Sequence, residues 1–145
     1  MDCFLAYDVG TSSVKSILVD TAGTIHASAI EEYPLQMPNP GWVEQNPEDY
    51  WNAICKATKH LVADSSVALK DIKGIVFTTQ AMGIIPVNKA GEILHPNISW
   101  VDGRAEKQAL SIMRKLGGKT IFKKIIGVEI TGNDVIPKLI WLKEN

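Results

Sequence analysis

A hydroxyl-rich segment near the N-terminus combines side chains that bind phosphate. It reads Asp-Val-Gly-Thr-Ser-Ser-Val-Lys over residues 8–15 and ends an apolar, β-prone run. A glycine lets the backbone approach a phosphate closely, hydroxyls and turn N–H groups donate to its oxygens, and a lysine adds positive charge. A neighbouring carboxylate suits Mg²⁺, which prefers hard oxygen ligands. The candidate phosphate-binding residues are Asp8, Gly10, Thr11, Ser12, Ser13 and Lys15, and Asp8 is also the candidate metal ligand.

The same segment also has a purely structural interpretation. It matches neither the G-x-x-x-x-G-K-[ST] nor the G-x-G-x-x-G phosphate-binding pattern. Gly10 and the serines would then serve only a tight hairpin turn. The local residues alone support the two interpretations equally.

Two later segments carry groups typical of a pocket for a hydroxylated ligand. Gln80, Ala81 and Met82 follow a buried-strand pattern, and ligands gather where strands end in open α/β sheets. The amide of Gln80 offers both a donor and an acceptor, whereas Met82 is more typical of packing. The second segment holds Trp100, Asp102 and Arg104.

An aromatic face, a carboxylate and a guanidinium this close together suit a polyol, because the ring stacks on its apolar side and the charges bind its hydroxyls. A core Trp100 followed by Asp102 as a helix cap explains the segment equally well.

The segment Pro-Gly-Trp-Val-Glu-Gln-Asn-Pro at residues 40–47 indicates an ordered loop leading into a helix. Asn46 is suited to the N-cap, Pro47 to the first helical position and Glu48-Asp49 to the first turn. Trp42 would anchor the loop, and this structural role is favoured over ligand contact.

The elements that must position these residues begin with a meander of three antiparallel strands. The patterns predict strands at 2–9, 14–20 and 25–33, a hairpin turn at 21–24 and no helix between them. A helix follows Pro47 to about residue 63, with a buried face that comprises Trp51, Ile54, Cys55, Thr58, Leu61 and Val62.

The rest of the chain alternates short strands and helices. A buried strand is predicted at 72–79, a short strand at 84–87 before a turn at 88–91, and an extended segment at 98–101. Helices are predicted at 104–116, ended by Gly117-Gly118, and at 121–126 and 135–142, with Pro137 in the first turn of the last.

Composition excludes several classes of partner. The 145 residues are 46% hydrophobic and 21% charged, with a net charge of −1, so no basic surface is expected for nucleic acid or an anionic membrane. No apolar run approaches the roughly 20 residues of a membrane span, and the N-terminus lacks the basic region of a secretory signal. Free thiols at Cys3 and Cys55 fit a cytoplasmic protein.

Taken together and in this order, the four segments resemble the FGGY carbohydrate kinases, which include glycerol, xylulose, ribulose and gluconate kinases. D-x-G-T-[ST]-S-x-[KR] is similar to the family's first phosphate loop, and G-W-V-E-Q-x-P to its characteristic loop and helix start. Q-x-M-G and W-x-D-x-R resemble its two N-terminal sugar-contacting stretches. The resemblance covers residues 8–141.

The resemblance implies an α/β fold of the actin-like, ribonuclease H-like ATPase class, with a mixed sheet flanked by helices. It implies that residues 1–145 are an incomplete first lobe, that ATP and Mg²⁺ meet a sugar or polyol between two lobes, and that the general base, an Asp, belongs to the absent second lobe. Asp8, Gly10, Thr11 and Ser12 would approach the phosphates. The sugar pocket would involve Gln80, Ala81, Met82, Trp100, Asp102 and Arg104.

The chain also departs from the family at the sugar-contacting stretch. Xylulose-kinase-like members have Met-His and glycerol kinases Arg-Glu where this chain has Ala81-Met82. This departure argues against both xylulose and glycerol as the substrate. The alternative to a kinase is a non-catalytic actin-like domain that binds nucleotide or a partner, but the segment from Trp100 to Arg104 favours the kinase. A partial lobe should also expose apolar surface near Ile140 and Trp141, which favours a homo-oligomer.

Overall fold

Strands dominate the first part of the chain and helices the last. The computed structural model describes the backbone of residues 1–145 and every side chain except that of Ile126. The strands are β1 (Cys3–Val9), β2 (Ser13–Asp20), β3 (Ile25–Glu32), β4 (Glu44–Gln45), β5 (Ile72–Thr79) and β6 (Asn97–Ile98). The helices are α1 (Pro47–Asp64), α2 (Glu106–Lys115), α3 (Lys119–Ile126) and α4 (Val135–Glu144), with a 3₁₀ turn at Leu69–Asp71.

The chain divides into two compact units. The first comprises Met1–Leu35 with Asn46–Gln80, and the second comprises Gln36–Gln45 with Ala81–Asn145. The first unit contains a four-stranded sheet in the order β3-β2-β1-β5. β1, β2 and β3 are antiparallel neighbours, and β5 is parallel to β1. The predicted meander is confirmed, including the turn before β3, where Gly23 adopts φ +85°.

Helix α1 covers one face of this sheet, over β2 and β3. It begins as predicted, with the Asn46 side-chain oxygen accepting a hydrogen bond from Glu48 N at 3.1 Å. Its buried positions, Ala53, Ala57 and Leu61, recur every four residues and form one stripe. The core beneath that stripe consists of Cys3, Leu5, Tyr7, Val9, Val14, Leu18 and Tyr33.

The predicted buried face of α1 was wrong at Trp51, whose side chain is 61% exposed. Trp51 lies on the side of the helix away from Ala53 and Ala57, because successive residues turn by about 100°. Small alanines at the contact bring the helix backbone close to the sheet. The prediction was based on large apolar residues and therefore did not include these alanines.

The bounds predicted for β5 are confirmed, but its predicted burial was wrong. Ile75 is 62% and Phe77 50% exposed. Among the described residues β5 is an edge strand, whereas α1 lies over β2 and β3, towards the opposite edge of the sheet. The apolar run correctly indicated a strand, but it carries no information about which elements cover that strand.

The second unit is built around a two-stranded antiparallel pair, β4 and β6, in which Glu44 lies opposite Ile98. The strand predicted at 84–87 was wrong, since only isolated bridges form there, from Ile84 to Ile98 and from Val87 to Ile93. The extended segment predicted at 98–101 was also wrong beyond Ile98. A turn follows instead, in which Asp102 N donates to Ser99 O at 3.0 Å.

The three predicted C-terminal helices are confirmed, with shifted ends. Gly117 and Gly118 end the α2 segment with φ of +94° and +92°, a conformation that suits glycine after a helix. Pro137 lies in the first turn of α4, and Ile140 and Trp141 on that helix are half-buried, not exposed as predicted. None of the helices in the described part of the chain has the length and apolar character that a bilayer span requires.

Candidate functional site

The hydroxyl-rich segment forms the hairpin between β1 and β2. Gly10 N donates to Ser13 O at 3.0 Å, which leaves residues 10–12 as the connection between the strands. A Cβ on Gly10 would lie 3.3 Å from Ser13 O, so this tight turn disfavours a larger residue. Ser12 is exposed and Thr11 half-buried at the tip. The exposed hydroxyl of Ser12 on this tight turn is a donor of the kind that binds an anion.

Asp8 lies at the base of this hairpin. Its Cα partners in the sheet are Lys15 on β2 and Thr78 on β5. The three residues line one part of a groove of about 480 Å³ on the sheet face away from α1, and apolar side chains such as Ile17 and Val76 line the rest. Asp8, Lys15 and Thr78 therefore lie side by side on one face of the sheet, near the carboxyl ends of β1 and β5.

Tyr33 holds the hairpin in place and was missed by the sequence analysis. Its hydroxyl donates to the Gly10 carbonyl and lies 3.1 Å from the Ser13 carbonyl. Its backbone N–H donates to Ser12 O at 3.1 Å. The register of β2 and β3, in which Ser13 faces Glu32, brings Tyr33 opposite the loop. The register of β2 and β3 could have identified Tyr33 from the sequence, because the predicted meander already required these strands to pair.

Burial is the main cause that raises the pKa of Tyr33 to about 12, with Tyr50 and Asp8 nearby adding to it. The ring is 7% exposed and meets Tyr50 edge to face at 5.0 Å between centroids. The phenol therefore remains a hydrogen-bond donor well above neutral pH.

We expect Tyr33→Phe to change how stability depends on alkaline pH. The folded pKa of about 12 exceeds the ordinary value of 10.0. The neutral phenol therefore adds stability that is complete below pH 10 and is lost as pH rises through 12. Because water screens part of this effect, the gap corresponds to at most about 2 kcal/mol. Urea unfolding should show that the wild type is more stable than Tyr33→Phe at pH 8. This difference in the free energy of unfolding should shrink at pH 10 and pH 11. A stability difference that stays constant over this range would contradict the assignment.

Gln80 belongs to the same unit as the hairpin. Its backbone N–H donates to Val9 O at 2.9 Å, and its side-chain Nε2 lies 3.3 Å from the Tyr50 hydroxyl. Among the predicted sugar-contacting residues, Gln80 thus lies beside the end of β1. The remaining five belong to the second unit.

Ala81 and Met82 are exposed at the start of that unit. Met82 has φ +60°, and no other non-glycine residue in the described chain has a positive φ. This conformation is uncommon for a residue with a Cβ and costs about 1 kcal/mol or more. The following Gly83 is packed tightly, since a Cβ there would lie 2.7 Å from Asn97 Oδ1. The Met82 side chain is 44% exposed on this constrained backbone.

Asp102 and Arg104 form a buried ion pair inside the second unit. Both side chains are 0% exposed. Arg104 Nε donates to Oδ1 at 2.9 Å and Nη2 to Oδ2 at 2.8 Å, which is the bidentate geometry that makes such pairs strong. Asp102 Oδ1 also accepts from Arg104 N, and Oδ2 accepts from Val43 N. The carboxylate is thus bonded on both oxygens by the protein itself.

The Gly-Trp-Val-Glu segment supplies two further partners of Arg104. Glu44 Oε1 lies 2.7 Å from its Nη2, and the Trp42 ring centroid lies 3.9 Å from its Cζ. Trp141 of α4 approaches the guanidinium from another direction, at 4.9 Å. Two indoles, through cation–π contacts, and two carboxylates, through ion pairs, together enclose the guanidinium. The predicted structural role of Trp42 is therefore supported by its contacts.

Trp100 differs from its two neighbours in this motif because it remains 42% exposed. It lies in the turn closed by the Asp102 N–H bond to Ser99 O at 3.0 Å. The buried pair therefore fixes the turn, and the indole of Trp100 reaches its surface. A partly exposed indole in a hydrogen-bonded turn can stack on the apolar side of a ring or chain of hydroxylated carbons.

Comparison with known proteins agrees with these motifs. Residues 3–145 match the N-terminal domain of the FGGY family of carbohydrate kinases. A xylulose kinase from Bacillus subtilis is 34% identical over 150 residues, covering 100% of this chain and 29% of that protein. A glycerol kinase from Delftia acidovorans is 35% identical over 146 residues, with the same shares covered.

The fold is also found among solved structures. A xylulose kinase from Brucella ovis superposes with a TM-score of 0.87 at 30% identity, covering 99% of this chain and 29% of that one. The predicted actin-like α/β fold class is thereby confirmed. The chain spans about 29% of the length of the curated relatives it matches.

Proposed function

This chain belongs to the FGGY family of carbohydrate kinases, and from that premise we propose that it is the N-terminal part of an enzyme that phosphorylates a sugar or polyol with ATP. Residues 1–145 would form an incomplete first lobe. The observation that carries the proposal is the family match over residues 3–145 together with the hydroxyl-rich hairpin held by Tyr33. The longer protein is called the complete kinase below.

The hairpin would bind the phosphates of the nucleotide. Gly10 and the hydroxyls of Thr11, Ser12 and Ser13 supply close approach and donors, and Lys15 supplies positive charge. Phosphoryl transfer depends mainly on positioning and on stabilising negative charge, so groups of this kind are what the reaction needs.

Asp8 would hold Mg²⁺. A single carboxylate beside hydroxyls fits this ion, because Mg²⁺ uses one or two carboxylates and completes its shell with water and substrate phosphates. Bound there, the ion would neutralise charge on the phosphates. Lys15, opposite Asp8 in the sheet, would act on the same charge.

The sugar or polyol would lie at Gln80, Ala81, Met82 and Trp100, with Asp102 and Arg104 close to the pocket. The exposed indole of Trp100 is the most direct support. Ala81-Met82 stands where the resemblance implies Met-His in xylulose kinases and Arg-Glu in glycerol kinases, so the proposal names no single acceptor. The enzyme would act in the cytoplasm, which agrees with two free cysteines.

The general base is proposed to lie outside these residues. The reaction needs a group that takes the proton of the attacking hydroxyl, within about 3 Å of it. Within residues 1–145 no position matches the catalytic aspartate that the resemblance implies, and that aspartate would lie in the second lobe. The chain would therefore contribute binding and positioning, and the rest of the complete kinase would contribute the base and the adenine site.

Replacing Trp100 tests the sugar-binding half of the proposal. In the complete kinase, Trp100→Ala should raise the KM for the sugar about tenfold by removing the stacking face, which corresponds to about 1.4 kcal/mol. The KM for ATP should stay unchanged, and Trp100→Phe should fall between the wild type and Trp100→Ala.

The matched control for this test is Trp51→Ala, which removes a more exposed indole from α1. Steady-state kinetics with each substrate varied in turn separates the two constants. A sugar KM unaffected by Trp100→Ala, or raised equally by Trp51→Ala, would remove Trp100 from the sugar site.

A further inference from the structure

Helix α4 and the residues before it hold both carbonyls next to Trp100. Lys138 Nζ donates to Ser99 O at 2.7 Å, and Asn133 Nδ2 donates to Trp100 O at 3.3 Å. The Ser99 carbonyl also closes the turn by accepting from Asp102 N. The backbone on either side of the exposed indole is thus fixed by two side chains from one short stretch of the chain.

Lys138 is an unusual residue for this position because its side chain is 0% exposed. Burial lowers its pKa, and the carboxylates of Asp102 and Asp134 oppose that effect while Arg104 adds to it. Burying an ammonium costs free energy, and an apolar side chain of similar volume is often as stable or more so. Stability alone therefore does not account for a lysine here.

The same helix contacts the segment a second time, one turn further on. Trp141 packs against the guanidinium of Arg104 at 4.9 Å and edge to face against Trp42 at 5.2 Å. Lys138 and Trp141 thus hold the motif on both sides of Trp100, at Ser99 and at Arg104.

We propose that Lys138 is a positioning residue for sugar binding, which fixes the Ser99–Asp102 turn so that the Trp100 indole is presented to the substrate. This inference rests on the proposed function, since it requires Trp100 to contact the sugar. Lys138 itself would touch neither substrate, because its ammonium is buried against the Ser99 carbonyl. Its effect would be on the orientation of the ring.

The test is a double-mutant cycle in the complete kinase. Lys138→Met keeps an unbranched side chain that is one atom shorter and removes the donor. We expect it to raise the sugar KM roughly fivefold or more and to leave the KM for ATP unchanged. In a Trp100→Ala background the same substitution should have almost no further effect on the sugar KM. Lys143→Met, on an exposed position of α4, is the matched control.

A lysine that only stabilises the fold would behave differently. Its replacement would change both KM values or neither, and its effect would add to that of Trp100→Ala. Either result would overturn the positioning role. If Trp100→Ala alone leaves the sugar KM unchanged, both this inference and the sugar site of the proposed function are wrong. A Trp100→Ala effect combined with an additive Lys138→Met effect removes only this inference.

Asn133→Ala gives a second variant in case Lys138→Met does not fold. It removes the bond to Trp100 O from a half-buried position. We expect a smaller rise in sugar KM, roughly twofold, that also disappears in the Trp100→Ala background. A rise that persists there would contradict the role assigned to these carbonyl contacts.

Discussion

Asp8→Ala in the complete kinase is expected to abolish phosphoryl transfer, with a loss of kcat of about a thousandfold or more, while sugar binding stays within about twofold of the wild type. Asp8 is the carboxylate at the base of the hydroxyl-rich hairpin, and its sheet partners are Lys15 and Thr78. Its removal would take away the proposed Mg²⁺ ligand. The residues of the second unit that are proposed to contact the sugar would remain intact.

Calorimetry separates the two halves of this prediction. Sugar titrated into Asp8→Ala should bind normally, and MgATP should bind weakly. Asp2→Ala, which removes an exposed carboxylate just before the same strand, is the matched control and should leave turnover unchanged. Loss of sugar binding with MgATP binding unaffected would reverse the assignment of the two sites.

The hairpin could be predicted from the sequence because its signals are local. Alternating apolar residues give strands, and a glycine with three hydroxyls between them leaves no room for a helix. The cap at Asn46 is equally local and was found for the same reason. Tyr33 was missed, because its contact with Gly10 depends on how β2 and β3 are aligned and not on neighbouring residues.

Burial was harder to predict than the elements themselves. The apolar stretch in β5 was correctly identified as a strand, yet Ile75 and Phe77 are largely exposed. The hydrophobic pattern of a strand indicates which of its residues favour burial. Whether they are buried depends on which other elements pack over the strand. Helix α1 lies over β2 and β3. That placement comes from Ala53 and Ala57, whose small size gives them little weight in a pattern of large apolar residues.

The environment of Asp102 and Arg104 depends on residues far away in the sequence. Because they are only two residues apart in the sequence, their proximity to each other could be predicted. The bond from Val43 N to Asp102 joins positions 59 apart. Glu44, Trp42 and Trp141 complete the enclosure. The sequence indicated a loop anchored by Trp42 and a charged motif as separate features, and only the folded chain shows that one encloses the other.

The second large effect concerns the 145 residues by themselves. We expect this chain to have no kinase activity and at most weak affinity for the sugar. The proposed base and adenine site lie outside it, and a half-site makes only part of the contacts while still losing translational and rotational freedom on binding. Water would also have access to a cleft that lacks its second lobe.

Transfer of radiolabelled γ-phosphate from MgATP to a panel of pentuloses, polyols and sugar acids tests the central claim most directly. The complete kinase and the 145-residue chain would be assayed side by side, with a mock purification as the background. The account predicts a phosphorylated product from at least one acceptor with the complete kinase, and none above background with the 145-residue chain. Turnover by the 145-residue chain would place the base within these residues and contradict the two-lobed account, and a complete kinase inactive on the whole panel would contradict the proposed function.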